Sequence, residues 1–212
     1  MDLSQIFGIL AGLTAFLAYG FYFNQIRKGQ TIPNPSSWAI WFLVSIINSV
    51  TYFQVVGQNL NQAFAALAVM LSMGLIFFYS LHKSRFARIS FIEIACFILA
   101  IIVGVFWQLT ADDRTANLLL QAIYVIAYVP TVAGLLRGTG KEYPVSWITA
   151  VIAYSFSIAA ILLDYNGDWA TFVFPLVNGV MGNGLVVAII YYKNKSNGQT
   201  PQIKRKKVRT KA

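Results

Sequence analysis

Three features of the chain predict an all-α membrane protein with seven transmembrane helices. Of its 212 residues, 58% are hydrophobic and only 11% are charged, about half the charged share that a soluble domain carries. The apolar residues fall into seven runs of about 20, each long enough to cross a bilayer core as a helix. The third feature is self-similarity, because the stretch from Tyr19 to Tyr52 returns in degraded form from Tyr128. At an offset of 109 residues, Ala18 meets Ala127, Tyr19 meets Tyr128 and Gly29 meets Gly138. At the same offset Pro35 meets Pro144, Ser37 meets Ser146 and Trp38 meets Trp147, with Lys28 opposite Arg137. A basic residue, Gly, Pro, Ser and Trp shared in one order argue for duplication.

The runs lie near Leu3–Ile26, Ser37–Val56, Gln62–Leu81, Ile89–Leu109, Ala116–Leu136, Val145–Leu163 and Trp169–Tyr192. A membrane barrel would alternate polar and apolar residues in segments of about ten; these runs are apolar on every face. The first has no basic flank and no small-residue cleavage site, so it is expected to stay as a helix rather than act as a secretory leader. Pro35 and Pro144 suit a first helical turn, with Ser-Trp following at the membrane edge. Gly57 with Asn59–Asn61 marks the second turn, and Asn166-Gly167 the sixth. The single cysteine, Cys96, rules out an internal disulfide and reads as a small apolar filler.

Lys and Arg set the orientation. Arg27 and Lys28 fall in the first turn, Lys83, Arg85 and Arg88 in the third, Arg137 and Lys141 in the fifth. The rest follow the seventh run, and of the 16 only Arg114 is on the other side. The positive-inside rule therefore predicts an outer N-terminus and a cytoplasmic C-terminus. Both copied turns are then cytoplasmic, so the repeats run parallel and a fourth helix must restore direction. The expected organisation is a three-helix unit over 1–82, a linking helix over 83–114, a second unit over 115–193 and a disordered basic tail over 194–212. That tail suits contact with anionic lipid headgroups; no folded soluble domain presents it to nucleic acid. The expected location is the plasma membrane, as a multi-pass protein, with a homo-oligomer left open.

A three-plus-one-plus-three plan with parallel repeats resembles the SWEET sugar transporters and their PQ-loop relatives. The first helix of each unit in that family ends in Pro-Gln before a basic turn. The corresponding places here are Asn24-Gln25 in FNQIRKG and Pro130-Thr131 in VPTVAGLLRG, each keeping half of the pair. The seventh run, FPLVNGVMGNGLVVAIIYYK, is similar through Pro175, Asn178, Gly182 and Tyr191–Lys193. The resemblance implies a pathway between the two units, alternately open to either side. It also implies hinge or gating roles for Asn24, Gln25, Pro130 and Thr131.

Helical rise selects candidate solute contacts independently of that resemblance. Asn48 lies about 12 residues into the second helix and Ser157 about 13 into the sixth, roughly 18–20 Å deep. From the opposite face, Ser72 and Asn178 are each about 15 Å deep, so all four fall near the middle of a core about 30 Å thick. Trp41, Ser45, Asn48 and Tyr52 form one stripe on the second helix, with Ala150, Tyr154, Ser157 and Ile161 as its copy. Trp41, Ser45, Asn48, Ser72, Tyr154, Ser157 and Asn178 are therefore the candidate substrate contacts. Two roles fit them: lining a pathway, or bonding helices together.

Acids sit at the edges: Asp112, Asp113, Asp164 and Asp168 outside, Glu142 in a cytoplasmic turn, and Glu93 within snorkelling reach of the cytoplasmic surface. With no interior acid expected between the units, uncoupled passage of a small neutral polar solute follows, a sugar first by resemblance. A vitamin or amino-acid carrier and a non-transporting receptor of the same fold are the alternatives. Paired carboxylates, metal-ligand clusters and nucleophile–base sets are missing from the pattern, so neither catalysis nor a cofactor is expected.

Overall fold

The structure is a computed structural model that describes residues 1–33, 35–83 and 91–196. Arg85, Arg88 and the basic tail from 197 onward lie outside the described residues, while Asn194–Ser196, expected to belong to a disordered tail, continue the last helix. The described chain is helical, with seven helices long and apolar enough to span a membrane. They are α1 (Leu3–Arg27), α2 (Pro35–Val55), α3 (Leu60–Lys83), α4 (Phe91–Thr110), α5 (Asp113–Arg137), α6 (Pro144–Leu163) and α7 (Ala170–Lys195). The outward side chains are apolar: on α4 alone Ile94, Phe97, Ile98, Ile101, Ile102 and Val105 are exposed. Such a face is at home against lipid tails and would be a liability in water.

Local chemistry sets the helix ends. Asp2 caps α1 by accepting from the Gln5 N–H at 2.8 Å, while the Gln5 side chain accepts from the Asp2 N–H, the reciprocal box that satisfies two otherwise orphaned donors. At α5, Asp112 accepts from the Thr115 N–H at 3.0 Å, which holds its carboxyl below the usual range. The same helix ends on Gly138 in the left-handed region, φ 79°, a conformation glycine adopts without steric cost. Pro144 opens α6 where its missing N–H leaves no bond unmade.

Small residues bring the helices close. The buried face of α1 is Ser4, Gly8, Ala11, Gly12, Ala15 and Ala18, and it meets both α3 and α6. A Cβ on Gly8 would lie 2.4 Å from the Asn61 carbonyl oxygen, and one on Gly12 2.1 Å from the Phe64 ring. This Gly-x-x-x-Gly spacing lets backbones approach as they do where no hydrophobic force drives helices together. Ser4 Oγ donates to the Ala160 carbonyl at 3.1 Å, tying α1 to α6. In turn α3 packs on α1 and α2, α7 on α5 and α6, α2 on α5, and α4 on α5 and α2.

The seventh helix is irregular at its centre. After Ala170–Val173 it widens to a π-helix over Phe174–Gly182 and resumes as an α-helix over Asn183–Ser196. Pro175 lacks the N–H that an α-turn needs and crowds the turn before it; the wider turn accommodates both. Asn183 Nδ2 then donates to the Asn178 and Gly179 carbonyls at 3.2 and 2.7 Å.

One end of the bundle is tightly bonded. Asn59 Nδ2 donates to Asp164, Gln62 Nε2 to the Asp164 carbonyl and Asn166 Nδ2 to the Val55 carbonyl. Arg114, the lone basic residue at this end among the described residues, is paired with Asp168 at 3.1 Å and stacked over Trp169. Beneath this layer Tyr52, Tyr124 and Tyr154 surround Phe174, with ring centroids 5.0–6.4 Å away. The opposite, basic end holds the site.

Candidate functional site

Five aromatic rings from four helices close on one another near the basic end. Centroids lie 5.0 Å apart for Tyr22–Trp38, 5.1 Å for Trp38–Trp41 and 5.8 Å for Trp41–Tyr128. The circuit returns through Tyr128–Trp147 at 6.4 Å and Trp147–Tyr22 at 6.2 Å. All are within the range at which rings attract edge to face or tilted. These rings border a small cavity of about 40 Å³, whose walls also include Tyr124, Ser146, Ala150, Asn178 and Asn183. The rings touch, so a solute enters only if they part.

The cavity offers unused hydrogen-bonding groups. Tyr124 Oη is buried and has no partner. The Asn178 backbone carbonyl accepts from Tyr128 Oη and Asn183 Nδ2, whereas its side-chain amide bonds to none of the described residues. The amides of Asn178 and Asn183 share this wall because the π-turn advances about five residues per bond; in an α-helix they would diverge by about 140°.

Of the seven candidate contacts, Trp41 and Asn178 are on the cavity wall. Asn48 is elsewhere: its Oδ1 accepts from Asn117 Nδ2 at 3.1 Å and Gln121 Nε2 at 2.7 Å in a buried cluster that joins α2 to α5. Thr51 completes it, accepting from Asn117 at 3.1 Å. Ser45 turns its hydroxyl back to the Phe42 carbonyl, and Tyr154 packs on Phe174. Ser157 is buried with its hydroxyl unpartnered, while Ser72 borders a separate groove with Tyr19, Phe23 and Tyr79. Asn48 and Asn178 thus do not share a space.

The expected hinge residues also part company. Asn24 is exposed, whereas Gln25 is buried and accepts from Ser146 Oγ at 3.2 Å, bridging α1 and α6. Pro130 lies inside α5 beside a small void lined by Ser37, Glu93 and Cys96, and Thr131 is half-buried next to it.

Two acids depart from the sequence expectation. Glu93 does not snorkel: it is 3% exposed and accepts from Ser37 Oγ at 2.7 Å, because the first turns of α4 and α2 pack together. Glu142 is no free turn residue either. Its Oε1 accepts from Tyr22 Oη at 3.0 Å and its Oε2 from Trp147 Nε1 at 3.1 Å. Burial pushes its carboxyl up to about 8, and those two hydrogen bonds only partly offset the rise. An acid therefore does stand between α1 and α6, held by two rings of the cavity wall.

The aromatic wall was partly legible in the self-similarity of the sequence. Tyr19/Tyr128 and Trp38/Trp147, matched at one offset, all line the cavity. The two tryptophans are buried wall residues, 4% and 7% exposed. No protein-family model, curated protein or solved structure matches this chain.

Proposed function

We propose that this protein is a membrane carrier that passes a small polar solute between two three-helix units, α1–α3 and α5–α7, by alternating access. The single observation that carries this reading is the closed circuit of rings over a cavity with an unbonded amide and an unpartnered hydroxyl. Helix pairing supports it: renumbering α1, α2, α3 as α5, α6, α7 exchanges the α1–α6 contact with α2–α5 and maps each within-unit pair onto its counterpart. A parallel repeat linked by α4, as in the SWEET and PQ-loop plan, has this exchange property.

The thick bonded layer at the acidic end and the thinner ring layer at the basic end suit the closed outer and nearer inner gates of such a carrier. The outer N-terminus and cytoplasmic C-terminus gain support from Arg114, whose charge is offset by Asp168 at the acidic end. A sugar remains the first neutral candidate, its apolar faces against the rings and its hydroxyls on Asn178 and Tyr124. Simple facilitation was expected because the interior held no acid, and Glu142 removes that premise.

The test is uptake into proteoliposomes of the full chain, with sugars, vitamins, amino acids and small amines as the panel. At least one solute enters faster than into protein-free vesicles, and Asn178→Ala slows it. A panel in which nothing exceeds the protein-free rate would end the carrier reading.

A further inference from the structure

Glu142 has a chemistry that a sugar site does not call for. Both oxygens are engaged by donors that belong to cavity rings, Tyr22 through its hydroxyl and Trp147 through its indole N–H. Donation to a carboxylate leaves those rings richer in electrons, and the face of an aromatic ring already attracts cations. The charged neighbours are occupied or turned away. Lys141 donates to the Gly29 carbonyl at 3.0 Å, Lys193 donates to the Leu135 carbonyl, and Arg27, Lys28 and Tyr143 are exposed. Arg114 is paired with Asp168 at the other end of the bundle. A half-buried carboxylate that meets no cation among the described residues, beside a box of aromatic faces, is built for a charge that arrives with the ligand.

We propose that the cavity takes a small organic cation, its ammonium group held against Tyr22, Trp38 and Trp147 with Glu142 as countercharge. Binding itself stands on these contacts; passage across the membrane rests on the carrier reading above. With the cavity empty, a proton occupies Glu142 at neutral pH, since burial pushes its carboxyl up to about 8. The step is an exchange: the O–H bond of the acid breaks, the carboxylate keeps the electron pair, and the cation enters as the proton leaves. Site charge is unchanged, so no further co-reactant is needed. Below the carboxyl's titration point, affinity must fall about tenfold for each pH unit of acidification, the ordinary linkage of one competing proton.

The experiment titrates the full chain in detergent with choline and with 3,3-dimethylbutan-1-ol, its neutral isostere, from about pH 6 to about pH 9. Fluorescence reads the tryptophans of the ring. Choline should bind at least about tenfold more tightly than the alcohol at the alkaline end. Its affinity should climb about tenfold per unit to about pH 8, with one proton released per cation bound, and then level as the acid ionises and no proton is released. Glu142→Gln, which mimics the protonated acid, should abolish the pH slope and the preference for choline. Equal binding of the two probes, a flat pH profile, no choline binding, or an unchanged preference in Glu142→Gln would each overturn the proposal; the wild-type series decides it even if that variant folds poorly. Choline bound but not carried into proteoliposomes would keep this site and sink the carrier. Sugar flux without a cation preference would do the reverse.

Discussion

Replacing Asn48 with Ala tests whether depth or direction decides what a mid-membrane amide does. Its Oδ1 accepts two hydrogen bonds, from Asn117 and Gln121, in a cluster where all three residues are at most 2% exposed. Interhelical hydrogen bonds in membranes average about 0.6 kcal/mol, with a maximum of about 1.7. Both donors keep a second acceptor, Thr51 Oγ1 for Asn117 and the Asn117 carbonyl for Gln121. The loss should therefore be about 1–2 kcal/mol, not the full cost of two stranded amides. For a chain of this size that lowers the melting temperature by about 2–8 °C. Asn178→Ala removes an amide with no protein bond and should shift melting by about 1–2 °C or less, while weakening solute binding several-fold, the value of one net hydrogen bond. Leu185→Ala, on the exposed face, serves as the control. Thermal melting and solute titration of the three variants in one detergent measure both quantities. Unchanged melting with weakened binding in Asn48→Ala would refute the assignment of Asn48 to the α2–α5 joint.

Further outcomes follow from the packing, the acid and the charge pattern. Gly8→Ala drives a Cβ to 2.4 Å from the Asn61 carbonyl oxygen and should cost about 1–3 kcal/mol; Gly20→Ala, with open space around it, should leave melting unchanged or slightly raised. The folded state favours neutral Glu142, whose carboxyl is raised from 4.5 to about 8. That contribution is whole below about pH 4.5 and is lost as pH climbs through about 8. Melting temperature should fall across that window, and Glu142→Gln should flatten the fall; a wild-type profile flat over the same window would contradict it. In a Cys96→Ser background, cysteines at Gln58 and Gly167 should react with an impermeant reagent from outside, and cysteines at Lys28 and Thr139 only from the cytoplasm. The opposite pattern would invert the orientation.

Seven spans were legible because a run of about 20 apolar residues has few other fates, and most helix ends among the described residues fell within about three residues of the expected positions, several of them marked by Pro or Gly. Direction was not legible: which way Asn48 points depends on α5, whose Asn117 and Gln121 stand one turn apart and were the available signal for a bonded pair. Trp38 and Trp147 read as interfacial anchors because a tryptophan near a helix end usually is one; here α1 covers them. Glu142 meets Tyr22 across 120 residues, a contact no local pattern carries. The pairing of Asn178 with Asn183 needed the π-turn, which Pro175 hints at but periodicity of 3.6 conceals.

Alternating access to the ringed cavity is the centre of the account, and a cysteine at Ala150 probes it most directly. Ala150 lines the cavity, so in a Cys96→Ser background Ala150→Cys is the one thiol within reach. An impermeant thiol reagent should modify it from either face of sealed, oriented proteoliposomes, and a transported solute should change both rates. Modification from one face only, indifferent to every solute, would contradict the account.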